Sequence, residues 1–299
     1  KRLKEKEIQL PKLLLISATL DLNKTIFENI PTYELVSKLY EVDYYYHHKD
    51  FLITDKSIIK SIAKVAINQY DRLTDSKHPT YGVSILIICS GGKEVEEVSD
   101  EIEKRMEIRN INIAKIYSAL PEDHLKNILK IPGDDEIKMI ICTNIAESSL
   151  TIPNIIGVID SMKRKIIQVS DSGEIELIEG YETKSSAKQR AGRTGRTQNG
   201  FCYRMCTEEG FNTLENSETN EILRIPIESL ILRLIKIRYD PYKFFAELIL
   251  KYDQLKINIT DTLRQLIKLK LIKESTLKIT DMGIFCSKLP ISLRYSIFL

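Results

Sequence analysis

The sequence predicts an α/β fold: a parallel sheet with helices on both of its faces, followed by a smaller, mostly helical module. Three observations predict it. Strand-sized apolar runs alternate with amphipathic helical stretches over most of the first 220 residues. Alternation of that kind calls for parallel strands joined by helical crossovers. Beyond Glu221 the pattern changes to helices.

Leu13 to Ile16, Val83 to Cys89, Ile137 to Cys142 and Ile155 to Asp160 read as buried strands, because their apolar residues run on without the in–out alternation of a half-solvated sheet. Between the second and third, Lys93 to Asn110 sets Val95, Val98, Ile102 and Met106 at helical spacing. Glu122 to Lys130 makes a shorter helix after Pro121. Asp171-Ser172-Gly173 separates two runs rich in β-formers, Lys165–Val169 and Glu174–Ile178, and predicts a β-hairpin. Helices follow at Ile222 to Arg238, at Tyr242 to Tyr252 after Pro241, and at Asp261 to Lys270 after Thr260. Leu271-Ile272 and Leu277 to Thr280 read as two short strands around the Glu274-Ser275 turn. Three helices and a two-stranded wing describe a winged-helix module.

A chain of 299 residues has room for two domains and a small third piece. At 43% hydrophobic and 29% charged residues it has the composition of an ordinary globular protein, not of a disordered one. Lys and Arg number 44 against 42 Asp and Glu, so any nucleic-acid site must be local rather than a property of net charge. The densest basic stretches are Lys163-Arg164-Lys165 and the run from Lys184 to Arg196. No apolar run approaches the roughly 18 to 20 residues a membrane span needs, and no signal peptide is read. The five cysteines are an odd, scattered set, which predicts reduced thiols in an intracellular compartment. Cys202 and Cys206 have no further ligands nearby to complete a zinc site, and no metal site is expected within this chain.

The densest chemical signal is Gln189 to Arg196, Gln-Arg-Ala-Gly-Arg-Thr-Gly-Arg. Wound as an α-helix, it would place Gln189, Arg193 and Arg196 at i, i+4 and i+7, on one face. Arginine's planar fork of donors matches phosphate oxygens in a bidentate way, so such a face suits a polyphosphate. Gly192 and Gly195 each cost a helix about 1 kcal/mol relative to alanine, a cost that makes sense where a nucleotide or another backbone must come close. Arg190 points about 100° away from Gln189 on that helix, toward a structural salt bridge. A solvated basic helix end or a non-specific Arg-Gly patch is the bland alternative.

Two further polar segments sit just past strands, where open α/β sheets bind ligands. Ser90-Gly91-Gly92 follows the strand ending at Cys89, and Thr143-Asn144 follows the one ending at Cys142. Backbone N–H groups and a hydroxyl there suit an anion, although Ser90 reads equally well as a helix N-cap.

With these pieces in order, the chain resembles the superfamily 2 RNA helicases of the DEAH-box group. Ser17-Ala18-Thr19 with Leu20-Asp21 resembles motif III, which couples the nucleotide and RNA sites. Ser90 to Glu94 stands where the family has motif IV, and Tyr117 to Pro121 is similar to the element that follows. Thr143 to Ile152 matches motif V, and Gln189 to Arg196 matches motif VI. Five motifs in family order are specific where one tripeptide is not. No Gly-rich P-loop and no Asp-Glu-Ala-His box is found in the sequence.

The resemblance implies RecA-like folds: residues 1–31 as the end of a first RecA-like domain, 32–220 as the second, 221–288 as a winged helix and 289–299 as the start of a helical ratchet-like domain. On this expectation the chain is a fragment of a longer reading frame, inactive alone. The resemblance also implies ATP and Mg²⁺ as cofactors, the metal being held mainly by the first domain. Arg193 and Arg196 are then arginine fingers and Gln189 a polar contact that positions phosphate or attacking water. Ser90, Gly91, Thr143 and Thr151 become contacts to RNA backbone phosphates, and Ser17, Ala18 and Thr19 the coupling element. The implied partners are single-stranded RNA, or a duplex with an overhang, and a protein activator, with no membrane. Two other classes stay open: a DNA-directed superfamily 2 motor and a non-catalytic nucleic-acid-binding module.

Overall fold

In the computed structural model the described residues are Leu14, Pro31, Tyr33 and Tyr40 onward, apart from 76–81, 107–110, 118–121, 149, 170–174, 219–221, 223–225, 249–251, 290, 292 and 299. Ser17, Ala18 and Thr19, the first expected strand except Leu14, Ser118 to Pro121 and the hairpin tip Asp171-Ser172-Gly173 lie outside them. Val36–Pro226 form one compact unit, and Ile227–Leu299 belong to another.

The first unit carries strands β1 (Val42–Tyr46), β2 (Val83–Ile88), β3 (Asn112–Ile116), β4 (Ile137–Cys142) and β5 (Ile155–Asp160), then an antiparallel hairpin of β6 (Lys163–Val169) and β7 (Ile175–Tyr181), then β8 (Gly200–Arg204). Six of them form a parallel sheet in the order β1-β8-β5-β2-β4-β3. Its helices are α1 (Ser57–Asp75), α2 (Gly92–Arg105), α3 (Glu122–Ile128), α4 (Ile145–Ser148), α5 (Lys184–Ala191) and α6 (Glu208–Thr213).

Both faces of the sheet are covered, which is why its central strands read as unbroken apolar runs. Ile85 and Ile87 of β2 point to one side, into a core with Ile58 and Ile62 of α1 and Val98 and Ile102 of α2. Leu86 and Ile88 point to the other, toward Ala146, Ala191 and Leu125. The connections explain the division. From β1 through β2 to β3 the chain moves across the sheet in one direction, and from β3 through β4 and β5 to β8 it moves back. Right-handed crossovers place helices of the two directions on opposite faces.

Strands β4 and β5 begin and end where the sequence places them, and β2 ends one residue earlier. Other boundaries differ for local reasons. Helix α2 stops at Arg105, where Met106 N–H bonds back to Ile102 and Glu103 carbonyls. Helix α3 stops at Ile128 instead of Lys130. The hairpin is longer at its base, by two residues on β6 and three on β7, with Ile166 opposite Ile178.

The second unit holds α7 (Glu228–Lys236), α8 (Pro241–Leu248), α9 (Tyr252–Lys268), α10 (Asp281–Cys286) and α11 (Leu293–Ser296). Helix α7 starts six residues later than expected because Pro226 lacks an N–H and crowds the preceding turn. Helix α9 starts at Tyr252, so Thr260 is not its cap. It sits mid-helix and bonds its hydroxyl to Lys256 O at 2.8 Å. Leu255, Ile259, Leu263 and Leu266 of α9 are buried, as are Phe245 of α8 and Ile231 and Leu232 of α7. The expected two-stranded wing is reduced to one antiparallel bridge, Ile272 to Ile279. Leu277 takes a positive φ of 50°, which turns the chain before a second pair can form.

Candidate functional site

In a parallel sheet every strand ends at the same edge. Ile88 pairs with Cys142 and with Asp160, and Asp160 pairs with Arg204, so the segments after β2, β4, β5 and β8 emerge together. Ser90, Gly91 and Thr143 stand at this carboxyl edge. Thr143 N–H donates to Ile116 O at 3.1 Å, and its carbonyl accepts from Ala146 as α4 begins. Thr151 is exposed in the loop from α4 to β5.

Ser90 is not a helix cap. Gly91 holds the N-cap position of α2 with extended backbone and no side-chain cap bond. The Ser90 N–H donates to the Glu94 carboxylate at 2.6 Å, and its hydroxyl donates to Glu179 Oε1 of the hairpin at 3.0 Å. Lys165, opposite Glu179 in the hairpin register, donates to the same oxygen at 3.1 Å.

Arg190 is the largest fully buried side chain of the molecule's described residues. Its guanidinium meets Asp160 Oδ1 at 2.8 Å, Glu147 Oε2 at 3.1 Å and the Glu182 carboxylate. Ser186 also donates to Glu147, at 2.7 Å. The structural salt bridge expected of Arg190 is thus a four-membered cluster that ties α4, the end of β5, the base of the hairpin and α5 to one point. A fully buried charge of this kind is destabilising unless paired, and losing one partner costs about 3–5 kcal/mol.

The octapeptide itself departs from the single helix expected of it. Helix α5, capped at Thr183, ends at Ala191 with Gly192 as its C-cap. Gly195 has φ +71°, and a Cβ there would lie 2.6 Å from Val42 Cγ2. The two glycines therefore serve a break and a close backbone approach: Tyr40 N–H donates to Gly195 O at 2.9 Å. Thr194 Oγ1 donates to the carbonyls of Ile155 and Ile156, the first residues of β5, at 3.0 and 2.9 Å. Residues 193–196 consequently lie by the amino ends of the strands, away from the edge that carries Ser90 and Thr143.

Gln189, Arg193 and Arg196 do not share the helical face that i, i+4, i+7 spacing implied. Arg193 is half-buried, and its guanidinium donates to Leu150 O at 2.8 Å and to Glu147 O, two carbonyls within the 143–152 segment. Burial first, and then the neighbouring Arg196 charge, lower its pKa from the ordinary arginine value. Arg196 is exposed, with Nε on Gly192 O at 2.9 Å. Gln189 is exposed on the last turn of α5. The Arg196 charge lies close enough to disfavour that of Arg193, a locus that an anion would relieve.

The comparisons with known proteins agree with this architecture. A helicase conserved C-terminal domain matches residues 67–198, which span α1 through motif VI. This chain is a relative of the DEAH-box RNA helicases. The chain is 32% identical over 237 residues to the ATP-dependent RNA helicase HrpA of Borreliella burgdorferi, covering 78% of this chain and 28% of that protein. It is 30% identical over 215 residues to the ATP-dependent RNA helicase dhx29 of Xenopus laevis, covering 71% of this chain and 16% of that one. Among solved structures, the Escherichia coli DEAH/RHA helicase HrpB superposes with a TM-score of 0.77 over 94% of this chain and 34% of that one, at 21% identity. The sheet is RecA-like, and the segments that resemble motifs IV, V and VI lie on the β2–α2 loop, on the segment that follows β4 and at the end of α5.

The five cysteines are free and buried, as their scatter predicts. Burial pushes the thiols of Cys142, Cys202 and Cys206 up to about 12, so none is a ready nucleophile or metal ligand at neutral pH. Among the described residues no His, Cys, Asp and Glu group is arranged to hold a metal ion. No helix among them is long and apolar enough to cross a membrane. Sequence reasoning missed Glu147, Asp160 and Glu182 as partners of Arg190, and Lys165 and Glu179 as neighbours of Ser90. Lys165 did stand in a recognised basic run; the carboxylates carried no local signal because their partners are distant in sequence.

Proposed function

We propose that the chain supplies the second RecA-like wall and the winged helix of an ATP-dependent RNA helicase. The observation that carries this reading is the arginine pair. Arg196 is exposed beside Arg193, and Arg193 is oriented by two motif V carbonyls, so one cation is free to reach a phosphate while its neighbour is fixed in place. These residues fit one half of a nucleotide site: they recognise phosphate charge but offer no P-loop and no carboxylate set for Mg²⁺, which a RecA-like partner domain would hold. Bound ATP supplies a γ-phosphoryl group whose transfer to water requires charge stabilisation rather than covalent help.

In this reading the residues of this chain do three things. Arg196 and Arg193 neutralise charge on the transferring group, and Gln189 contributes a polar contact at the same wall. Ser90, Thr143 and Thr151 hold RNA backbone phosphates without reading base identity. The Arg190 cluster fixes motif V to motif VI, so that movement at one edge of the domain is felt at the other. The domain division at 220/221, a protein activator as a further partner, and an intracellular location belong to the same proposal.

ATP hydrolysis by the full-length protein, with and without single-stranded RNA, tests it. The expected result is RNA-stimulated turnover that falls by about 10³ or more in Arg196→Ala while the fold is retained. Near-normal turnover in that variant would remove the arginine from the reaction.

A further inference from the structure

The hydroxyl of Ser90 is buried against a carboxylate that belongs to another element 89 positions away. Glu179 Oε1 accepts from the Ser90 hydroxyl at 3.0 Å and from Lys165 Nζ at 3.1 Å, so one oxygen satisfies both donors. A phosphate oxygen uses the same two kinds of donor. The Ser90 N–H is already taken by Glu94, which leaves the hydroxyl as this residue's donor for an anion. Gly91 keeps the space open: a Cβ there would come within 3.0 Å of Lys165 Cε. Lys165 and Glu179 both remain about two-fifths exposed, within reach of a strand approaching from solvent.

We propose that Lys165 is a ligand to the same RNA backbone phosphate as Ser90, and that Glu179 occupies the position of that phosphate when no RNA is bound. The inference rests on the reading of Ser90 as a phosphate contact. It makes the hairpin part of the RNA site through its base rather than its tip. It also gives RNA entry a definite local exchange: the Ser90–Glu179 and Lys165–Glu179 contacts open, and the phosphate takes over both donors. Glu179 is held in its charged form by the two hydrogen bonds in spite of partial burial, so it remains a competing anion.

Binding of fluorescently labelled oligouridine to the full-length protein, followed by anisotropy at several salt concentrations, decides it. Lys165→Ala should weaken binding and flatten the slope of log affinity against log salt by about 0.7, the share of one phosphate on a single strand. Glu179→Gln removes the competing charge but keeps the shape, and should tighten binding about two- to fivefold, the size of an exposed ion pair. Ser90→Ala should weaken it. If Ser90→Ala has no effect, the reading of Ser90 fails and the inference falls with it. If Ser90→Ala weakens binding while Glu179→Gln leaves it unchanged or weaker, or Lys165→Ala leaves the salt slope unchanged, the inference alone is overturned, and the Lys165–Glu179 pair is a cross-strand contact without a role in binding.

Discussion

Arg190 faces three carboxylates, Asp160, Glu182 and Glu147, with no exposed surface of its own. Arg190→Ala would leave the three acids around an emptied centre, and a loss of about 3–5 kcal/mol is expected, read as a lower urea midpoint. A fall below about 1 kcal/mol would mean that water enters the cavity and hydrates the acids. Glu182 makes the electrostatics testable by pH. Burial raises its pKa above the ordinary carboxylate value, against the lowering pull of Arg190. A carboxyl raised on folding contributes stability that is complete below its unfolded pKa and is lost as pH rises through the folded one. Glutamine never ionises. Glu182→Gln should therefore gain on the parent as pH is raised from about 4, near the unfolded value for glutamate, to neutrality. If the parent gains instead, attraction to Arg190 outweighs burial at this site.

Elements were legible where burial is symmetric and obscure where it is not. Strands β2, β4 and β5 lie in the middle of the sheet, and helices on both faces demand unbroken apolar runs that a sequence displays directly. Strands β1 and β3 are the two edges, read Val-Asp-Tyr-Tyr-Tyr and Asn-Ile-Ala-Lys-Ile, and carry the polar residues an edge tolerates. Strand β8 escaped for a different reason: it opens on Gly200 and closes on Arg204, and its register depends on β1 and β5. Motifs IV to VI could be recognised as residues, yet the shape of motif VI could not, because its helix break is set by the tertiary approach of Tyr40 and Val42 to Gly195. Gly195→Ala tests that account. A methyl at φ +71° would lie 2.6 Å from Val42 Cγ2 and 3.1 Å from Tyr40 O, so the Val42 side chain or the loop must shift, with an expected cost of at least about 1–2 kcal/mol. It should also shift Arg196 and lower ATP turnover beyond what the stability loss explains. Full stability in Gly195→Ala would show that the loop accepts another path.

For the molecule as a whole, the near balance of 44 basic and 42 acidic residues means that the proposed affinity for RNA has to come from placed groups rather than from a general field. The groups assigned to phosphates are chiefly hydroxyls, Ser90, Thr143 and Thr151, and a neutral donor positions a phosphate without displacing its counterion. Lys165 adds one charge at the hairpin base. Each neutralised phosphate on a single strand contributes a slope of about 0.7 to the salt dependence, so these groups should give single-stranded RNA binding a slope of only about −0.7. Anisotropy titrations between about 50 and 200 mM salt measure it over the range where the effect is large. A slope steeper than about −4 would move the binding energy to the basic run from Lys184 to Arg196. RNA would then be competing for the arginines assigned to nucleotide phosphate.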